Sequence, residues 1–326
     1  AAWLWRSVNL MVSRTLLGGG TLFWLAALCG AVSASPLYDT DLLFVLLALI
    51  TLSALVWYQV SRRLAWTDLG YLPWLLWIAM LLALLYQQLI DNSLLAAGWM
   101  NLVWLPVLGA AYRLLKREQG RARPAYLEKG LHLSLFWMLL STWAEVWRVT
   151  DTLPWGMDEW RMSALMVFIA AIILLTLWAL RRGLWPFAAF PRLYPSLGLL
   201  PLAPCALIVL LLGNLHDGVM IDWRYLPLIN PLEEGALMLM FALLFWGRQL
   251  RGQFAAALPG GDLALRLGAI ALLFWWGNGL VMRILSYYAG IAWQADALWS
   301  SRLVQTTFTL LWMLTALLTM LWSTRY

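Results

Sequence analysis

The sequence predicts an all-α membrane protein, a polytopic bundle of about ten transmembrane helices. Hydrophobic residues make up 63% of the 326-residue chain and charged residues 12%, which is about half the charged share of a soluble domain. The hydrophobic residues form continuous runs of about 20, the length that a helix needs to cross a membrane. Because lipid offers no hydrogen-bond partner to the backbone, each run is expected to be helical.

Ten runs reach this length, and most charged residues lie between them. The predicted spans are 15–34, 41–60, 70–90, 94–114, 130–149, 161–180, 196–215, 232–249, 262–288 and 302–322. No connection between them is long enough for a soluble domain, so residues 1–326 are expected to form a single integral-membrane domain. Paired in order, the spans form five hairpins with tips near Asp39, Asn92, Pro154, Asp222 and Trp293.

The distribution of charge indicates the orientation of these hairpins. With the N-terminus in the cytoplasm, most basic residues fall on the inner side and most acidic residues on the outer side. The basic residues outside are Arg148, Arg161, Arg224, Arg283 and Arg302, and the acidic residues inside are Asp68, Glu118, Glu128 and Asp262. This pattern follows the positive-inside rule. We therefore expect outward-pointing hairpins, both termini in the cytoplasm, and a location in the bacterial inner membrane.

The sequence predicts no metal, no cofactor and no nucleic-acid partner. The inner turns account for the net charge of +6. The two histidines, His132 and His216, lie far apart, and the two cysteines, Cys29 and Cys205, lie in apolar spans without metal-ligand spacing. The expected partners are membrane lipids, together with other membrane subunits or the missing N-terminal part of a longer protein. The first residue is Ala1, which fits either a processed chain or such a tail.

Two hairpins resemble each other. WAEVWRVTDTLPWGMDEWRM (143–162) and GLVMRILSYYAGIAWQADALW (279–299) each carry an arginine near the outer end of one span, then acidic residues and a tip with tryptophan. An internal duplication, with 130–180 resembling 262–322, is one explanation and occurs in pseudo-symmetric transporters. The other explanation is that duplication of a hairpin is a common way for any helical protein to grow larger.

The segment YLPLINPLEEGALML (225–239) contains the first candidate residues. Asn230 suits the N-cap of the eighth span, Pro231 its first position, and Glu233 the third position of a capping box. Because Glu233 and Glu234 also lie at the positive end of the helix dipole, a structural role explains them. The alternative is ligand binding or acid–base chemistry in an outer cavity. The expected neighbours there are Asp217, Asp222 and Arg224.

A second group consists of Glu145, Arg148 and Arg283, with Asn278 deeper in the ninth span. Glu145 and Arg283 lie a turn or more inside the expected membrane boundary, where ionisable side chains are costly and usually paired. We expect an ion pair between Glu145 and Arg283. The alternatives are that both side chains extend to the lipid headgroups, or that the group lines a site for an anion or polar headgroup.

Small and aromatic residues add two expectations. Gly18–Gly20 and Gly30 should allow close helix packing in the first span. The chain has 24 tryptophans, several of them toward the outer side. Interfacial belts explain most of these, but aromatic rings beside carboxylates also suit a sugar, so a lipid-linked sugar is a candidate ligand.

Two segments carry a family resemblance. YLPLINPLEEGAL (225–237) resembles the LP-LLNPLD stretch, and 283–320 the C-terminal segment, of the bacterial domain-of-unknown-function family 2339 of very large predicted membrane proteins. The residues that match in the second segment are Arg283, Gly290, Trp293, Val304, Gln305 and Trp312. Ser286 and Tyr287 replace the family's His-His pair. The resemblance implies the C-terminal part of a longer polytopic protein, or a shortened relative, and assigns no activity.

These observations favour a protein that handles a polar or lipid-linked envelope molecule at its outer face, like a transporter or flippase. This function predicts a wet cavity lined by Glu145, Asn278 and Arg283. One alternative is a scaffold or assembly subunit, which needs no deep polar pocket. Another is a membrane-embedded enzyme for an outer-leaflet glycan or lipid, so enzymatic activity stays open. The enzyme hypothesis predicts that at least two carboxylates converge in one outer pocket, from the set Asp158, Glu159, Asp222, Glu233 and Glu234.

Overall fold

The computed structural model confirms the all-α class: most of its described residues are helical, and none of them forms a strand. It describes residues 1–36, 39–89, 98–120, 124–141, 158–219, 224–254 and 261–324, without the side chains of 39–40, 99–100, 158–159 and 322–323. The chain divides into two compact units, Ala1–Glu145 and Val146–Tyr326.

The first unit is organised around its third helix. Its described helices are α1 (Ala2–Trp5), α2 (Leu10–Ser33), α3 (Asp39–Arg63), α4 (Leu75–Leu89), α5 (Trp104–Glu118) and α6 (Ala125–Leu140). Short 3₁₀ turns, Leu69–Trp74 and Gly98–Val103, precede α4 and α5. The side chain of Asn9 begins α2 by accepting hydrogen bonds from the backbone N–H groups of Met11 and Val12. Helix α3 contacts α2, α4 and α5.

The second unit is organised around a close pair of helices. Its described helices are α7 (Asp158–Arg181), α8 (Leu202–Gly213), α9 (Pro231–Phe254), α10 (Gly261–Ala289), α11 (Ala295–Ser300) and α12 (Arg302–Ser323). Helices α7 and α9 pack most extensively. A Cβ atom on Gly235 would lie 3.2 Å from the Cα atom of Ser163, so glycine allows this approach. The Ser163 hydroxyl donates to the carbonyl of Pro231 at 2.6 Å.

Seven helical segments within the described ranges are long and apolar enough to cross a membrane. They are Leu10–Ser33, Asp41–Arg63, Leu69–Leu89, Trp160–Arg181, Tyr194–Gly213, Gly261–Ala289 and Arg302–Leu321. The other three predicted spans overlap α5, α6 and α9. Helices α5 and α6 have 15 and 16 residues, and α9 carries charged residues near both ends. The count of ten spans therefore stays a prediction.

The structure leaves the proposed duplication as a prediction. The first of the two similar segments, 130–180, includes residues 142–157, which lie outside the described part of the chain. The tips expected near Asn92, Pro154 and Asp222 also lie outside it.

Candidate functional site

Three helix ends of the second unit meet at a buried group of polar side chains, which we call the polar cluster. It consists of Asn214, which follows α8, Tyr225 in the next connection, Glu233 in the first turn of α9, and Arg283 near the end of α10. Glu233 is 0% and Arg283 1% exposed. The cluster therefore joins α9 and α10 through a buried ion pair, and it reaches α8 through the half-buried Asn214.

The Glu233 carboxylate accepts hydrogen bonds on both oxygen atoms. Arg283 Nε donates to Oε1 at 3.1 Å, and the Tyr225 hydroxyl donates to the same oxygen. The backbone N–H of Leu228 donates to Oε2 at 2.6 Å. A buried charge is stable only when it is paired and hydrogen-bonded, and this carboxylate has both kinds of partner.

The connection before α9 is shaped to supply these donors. Leu228 has a φ angle of 67°, a left-handed conformation that is uncommon for residues other than glycine. Burial, together with the Glu233 carboxylate, raises the pKa of Tyr225 above its usual range, so its hydroxyl stays a donor. The Tyr288 hydroxyl donates to the Tyr225 carbonyl at 3.0 Å, and the rings of Tyr225 and Tyr287 lie 5.6 Å apart.

Arg283 also binds the end of α8. Its Nη1 atom donates to the backbone and side-chain oxygens of Asn214, each at 3.3 Å, and to the carbonyl of His216 at 3.4 Å. The Asn214 side chain in turn donates to the carbonyl of Trp275 at 2.8 Å. A Cβ atom on Gly279 would lie 1.9 Å from Asn214 Oδ1, so this approach of α8 to α10 requires glycine.

Asn230 acts as the predicted cap of α9. Its Oδ1 atom accepts from the N–H of Leu232 at 3.0 Å, and its Nδ2 atom donates to the carbonyl of Gly218 at 2.8 Å. Pro231 is the first residue of the helix, as expected. The predicted capping box is only half present, because the Glu233 side chain turns to Arg283, Tyr225 and Leu228 instead.

Two cavities lie beside these helices. One of about 10 Å³ touches Asn214, Trp275, Trp276 and Arg283 and has room for about one water molecule. The other, which we call the interhelix groove, has a volume of about 480 Å³ and lies between α8, α9 and α10. Its wall includes Leu207, Leu237, Phe241, Gly247, Leu250, Ala264, Leu265, Gly268, Ala269 and Leu272.

The family model described as predicted membrane protein (DUF2339) matches residues 51–326. The chain belongs to this family. The match confirms the resemblance seen in the sequence and extends far upstream of the segments that carried it. No curated protein and no solved structure matched the chain. The family and the apolar helices together show a multi-pass membrane protein whose embedded helices would contact lipid.

The structure places the candidate residues of this DUF2339 protein in different surroundings. Glu234 and Arg224 are exposed. Asn278 links α10 to α12, because its Oδ1 atom accepts from the indole N–H of Trp312 at 2.8 Å. Glu145, Arg148 and Asp222 lie outside the described residues. The expected Glu145–Arg283 pair therefore stays a prediction, while the partner that the structure shows for Arg283 is Glu233.

Sequence reasoning missed Asn214, Tyr225 and Gly279. Asn214 stands at the end of an apolar span, where a polar residue indicates only that the helix ends. Tyr225 opens the motif at 225–237, where sequence reasoning gives it no role. Within the described ranges, no group of three or more His, Cys, Asp or Glu residues could hold a metal ion. The polar cluster is thus built from hydrogen bonds among amino-acid side chains and the backbone.

Proposed function

We propose that this DUF2339 protein handles a lipid-linked envelope molecule in a transporter-like or flippase-like manner, and that the interhelix groove holds the hydrocarbon chain of that molecule. The observation that carries the proposal is the groove itself. Its volume is about 480 Å³ and its wall consists almost entirely of hydrocarbon side chains. An apolar wall of this kind binds a chain through the hydrophobic effect and provides no polar contacts for a soluble substrate.

The length of the groove fits an extended chain. On α9 its lining runs from Leu237 to Leu250, which corresponds to about 20 Å at 1.5 Å per residue. One leaflet of the hydrocarbon core is about 15 Å thick, half of the whole. An acyl or polyprenyl chain lying lengthwise would therefore remain in contact with α9 across one leaflet.

Small residues on α10 keep the groove open. Ala264, Gly268 and Ala269 line it, and such residues usually allow membrane helices to pack closely. A Cβ atom on Gly268 would have no atom within 4 Å. The small face of α10 at this position therefore borders empty space, which a chain could occupy.

Contacts at both ends hold the two walls together. The polar cluster joins α9 and α10 at one end. At the other, Arg251 of α9 pairs with Asp262 of α10, and a Cβ atom on Gly247 would lie 2.5 Å from Leu265 Cδ1. Because the helices are tied above and below the groove, the opening lies at its side.

The proposal includes the charge-based topology. The ten spans then form outward-pointing hairpins in the bacterial inner membrane, with both termini in the cytoplasm. This orientation places the polar cluster toward the outer face and the groove in the inner half of the membrane. A lipid-linked molecule present in the inner leaflet would meet the groove first.

A matched pair of glycine substitutions on α10 tests the groove. Gly268→Leu fills it, whereas Gly277→Leu adds the same side chain outside it, at a position with no atom within 4 Å of a Cβ. Native mass spectrometry of each purified variant would identify the lipids that stay bound. We expect Gly268→Leu to lose a chain-bearing lipid that the wild type and Gly277→Leu retain. Equal retention by all three proteins would contradict the proposal.

Transport has a separate assay. Proteoliposomes containing a fluorescent polyprenyl phosphate would report movement between leaflets through quenching by a membrane-impermeant reagent. We expect faster movement with the wild type than in empty liposomes, and a reduced rate with Gly268→Leu. Lipid retention without any such movement would support binding and contradict the flippase-like role.

One observation favours the scaffold alternative. The apolar windows of Leu10–Ser33, Gly261–Ala289 and Arg302–Leu321 are each only 11% buried, so their faces are available to a partner subunit as well as to lipid. Native mass spectrometry that retains a stoichiometric protein partner and only bulk phospholipid would favour this role. The hypothesis of a membrane-embedded enzyme has less support. It needs two carboxylates that converge in one pocket, whereas Glu233 is buried in its ion pair and Glu234 is exposed.

A further inference from the structure

The first unit contains a cavity of about 300 Å³ that differs in character from the interhelix groove. Its wall includes four tryptophans, Trp3, Trp24, Trp57 and Trp66, together with Gly20 and Thr21. These residues come from α1, α2, α3 and the segment between α3 and the following 3₁₀ turn. We call this cavity the tryptophan pocket.

The pocket extends along one face of α2. Leu17, Gly20, Thr21 and Trp24 line it, and their spacing of three and four residues places them on the same side of a helix. From Leu17 to Trp24 the helix rises about 10 Å. The pocket is therefore a slot that follows about two turns of α2.

Two arginines lie at one end of this slot. Arg14 precedes Leu17 by one turn on the same face, and its Nε atom lies 3.0 Å from Asp68 Oδ1. The Arg6 guanidinium stands 4.9 Å from the ring centre of Trp3 and donates to the carbonyl of Leu64 at 3.0 Å. Both arginines are exposed. One end of the slot is therefore cationic and the rest is aromatic and apolar.

The glycines of α2 leave this space empty. They were expected to allow close helix packing, but a Cβ atom on Gly18, Gly19, Gly20 or Gly30 would meet no described atom within 4 Å. Helix α2 buries only Ser13, Thr21 and Val32. Gly20 thus serves to widen the pocket and not to bring a second helix near.

Two of the tryptophans in the wall are held by hydrogen bonds within the first unit. Trp24 donates its indole N–H to Ser53 Oγ at 3.0 Å. Trp66 is 9% exposed, and its backbone N–H donates to the carbonyl of Ser61 at 2.9 Å. These rings therefore form a fixed aromatic wall.

We propose that the tryptophan pocket binds one phospholipid with an anionic headgroup. Its phosphate lies near Arg6 and Arg14, and one of its chains lies along Leu17 to Trp24 beside Gly20. Tryptophan favours the boundary between headgroups and chains, and basic residues attract anionic lipids there. This site belongs to the first unit and does not depend on the function proposed for the groove.

Two leucine substitutions on α2 test the pocket. Gly20→Leu fills the slot, while Gly18→Leu adds the same side chain on a different side of the helix, outside the pocket lining. Both replace glycine with a better helix former. Phosphatidylglycerol would be titrated into the delipidated full chain and counted by native mass spectrometry. We expect Gly20→Leu to bind one lipid fewer, or to bind it at least about tenfold more weakly, and Gly18→Leu to match the wild type.

Two further binding experiments identify the ligand. Phosphatidylethanolamine with the same chains should bind this site more weakly, and equal binding would overturn the anionic headgroup. Inorganic phosphate should not compete with the lipid; competition that depends on Gly20 would indicate a soluble phosphate instead. If Gly20→Leu fails to fold, Arg6→Gln decides, because it removes a cation beside Trp3 and leaves the pocket lining unchanged. Unchanged phosphatidylglycerol binding in Arg6→Gln or in folded Gly20→Leu would overturn the proposal.

Discussion

The two ends of the α9–α10 pair are each joined by an arginine and a carboxylate, yet their environments are opposite. The side chains of Arg283 and Glu233 are 1% and 0% exposed, whereas those of Arg251 and Asp262 are 48% and 41% exposed. Breaking a buried pair leaves an uncompensated charge away from water. Breaking an exposed pair leaves two charges that water solvates. The same kind of ion pair should therefore contribute strongly to the stability of the protein at one end of the helices and weakly at the other.

The neighbours of each pair explain this difference. The buried carboxylate has further donors in Tyr225 and Leu228, and Arg283 has further acceptors at the end of α8. Three segments are thus fixed together at that end. The interhelix groove lies between the two ends, so any change in its width would involve the end joined by the exposed pair. Four substitutions test this contrast, from the largest expected effect to the smallest.

The largest loss of stability should come from Arg283→Met. It leaves Glu233 buried without its cationic partner, which costs about 3–5 kcal/mol. The free energy of unfolding in a fixed detergent, measured with increasing denaturant, reports the change. The matched control is Arg251→Met, which removes the same type of residue from the exposed pair.

A double substitution separates the ion pair from simple packing. Glu233→Gln combined with Arg283→Met removes both charges, so it should be more stable than Arg283→Met alone. A double variant that loses the sum of the two single losses would show that the charges do not stabilise each other. The contrast between the two helix ends would then need another explanation.

Gly279→Ala should have the next largest effect. The added Cβ atom would lie 1.9 Å from Asn214 Oδ1, so the Asn214 side chain must shift and its hydrogen bonds to Arg283 and Trp275 are disturbed, with a cost of up to about 3 kcal/mol. Gly277→Ala is the control, since no atom lies within 4 Å of its Cβ; it should stabilise the helix by up to about 1 kcal/mol. The unfolding temperature measures both, and equal shifts would contradict the close approach.

The surroundings of Arg283 show what the sequence could and could not predict. The length of the apolar runs predicted where the helices lie, because a helix in lipid must satisfy its own backbone. It could not predict that Arg283 pairs with Glu233, 50 residues away. Glu145 was an equally reasonable partner at a similar depth. The pair with Glu233 forms where α8, α9 and α10 meet, which is a property of helix packing and leaves no local pattern.

The cap of α9 and the groove show the same limit. Asn230 and Pro231 form the start of α9, and a helix start of this kind has a local signature in the sequence. Glu233 was assigned to that signature too, although its carboxylate binds across to α10. The groove is an absence of packing between α9 and α10, and no local pattern in the sequence indicates such a gap. Local rules therefore predicted the helical class and the start of α9, and not the site between the helices.

Tyr225→Phe should have an intermediate effect. It keeps the ring beside Tyr287 and removes the hydroxyl that donates to Glu233. Hydrogen bonds to charged groups contribute about 1.5–3 kcal/mol, so a loss of about 2 kcal/mol is expected. Tyr288→Phe is the control, because its hydroxyl donates to a neutral carbonyl and its loss should cost about 1 kcal/mol. Equal losses would show that the carboxylate gains nothing from Tyr225.

Arg251→Met should have the smallest effect, at most about 1 kcal/mol, because both members of its pair are in contact with water. The same exposure predicts that added salt weakens the wild-type pair, so the difference between wild type and variant should vanish at high ionic strength. Arg283→Met should keep its full loss there, since a buried pair is screened much less. A loss in Arg251→Met that is as large and as insensitive to salt as that of Arg283→Met would mean that both ends are rigid anchors. The groove would then have a fixed width, and a chain could enter only through the opening that the structure already shows.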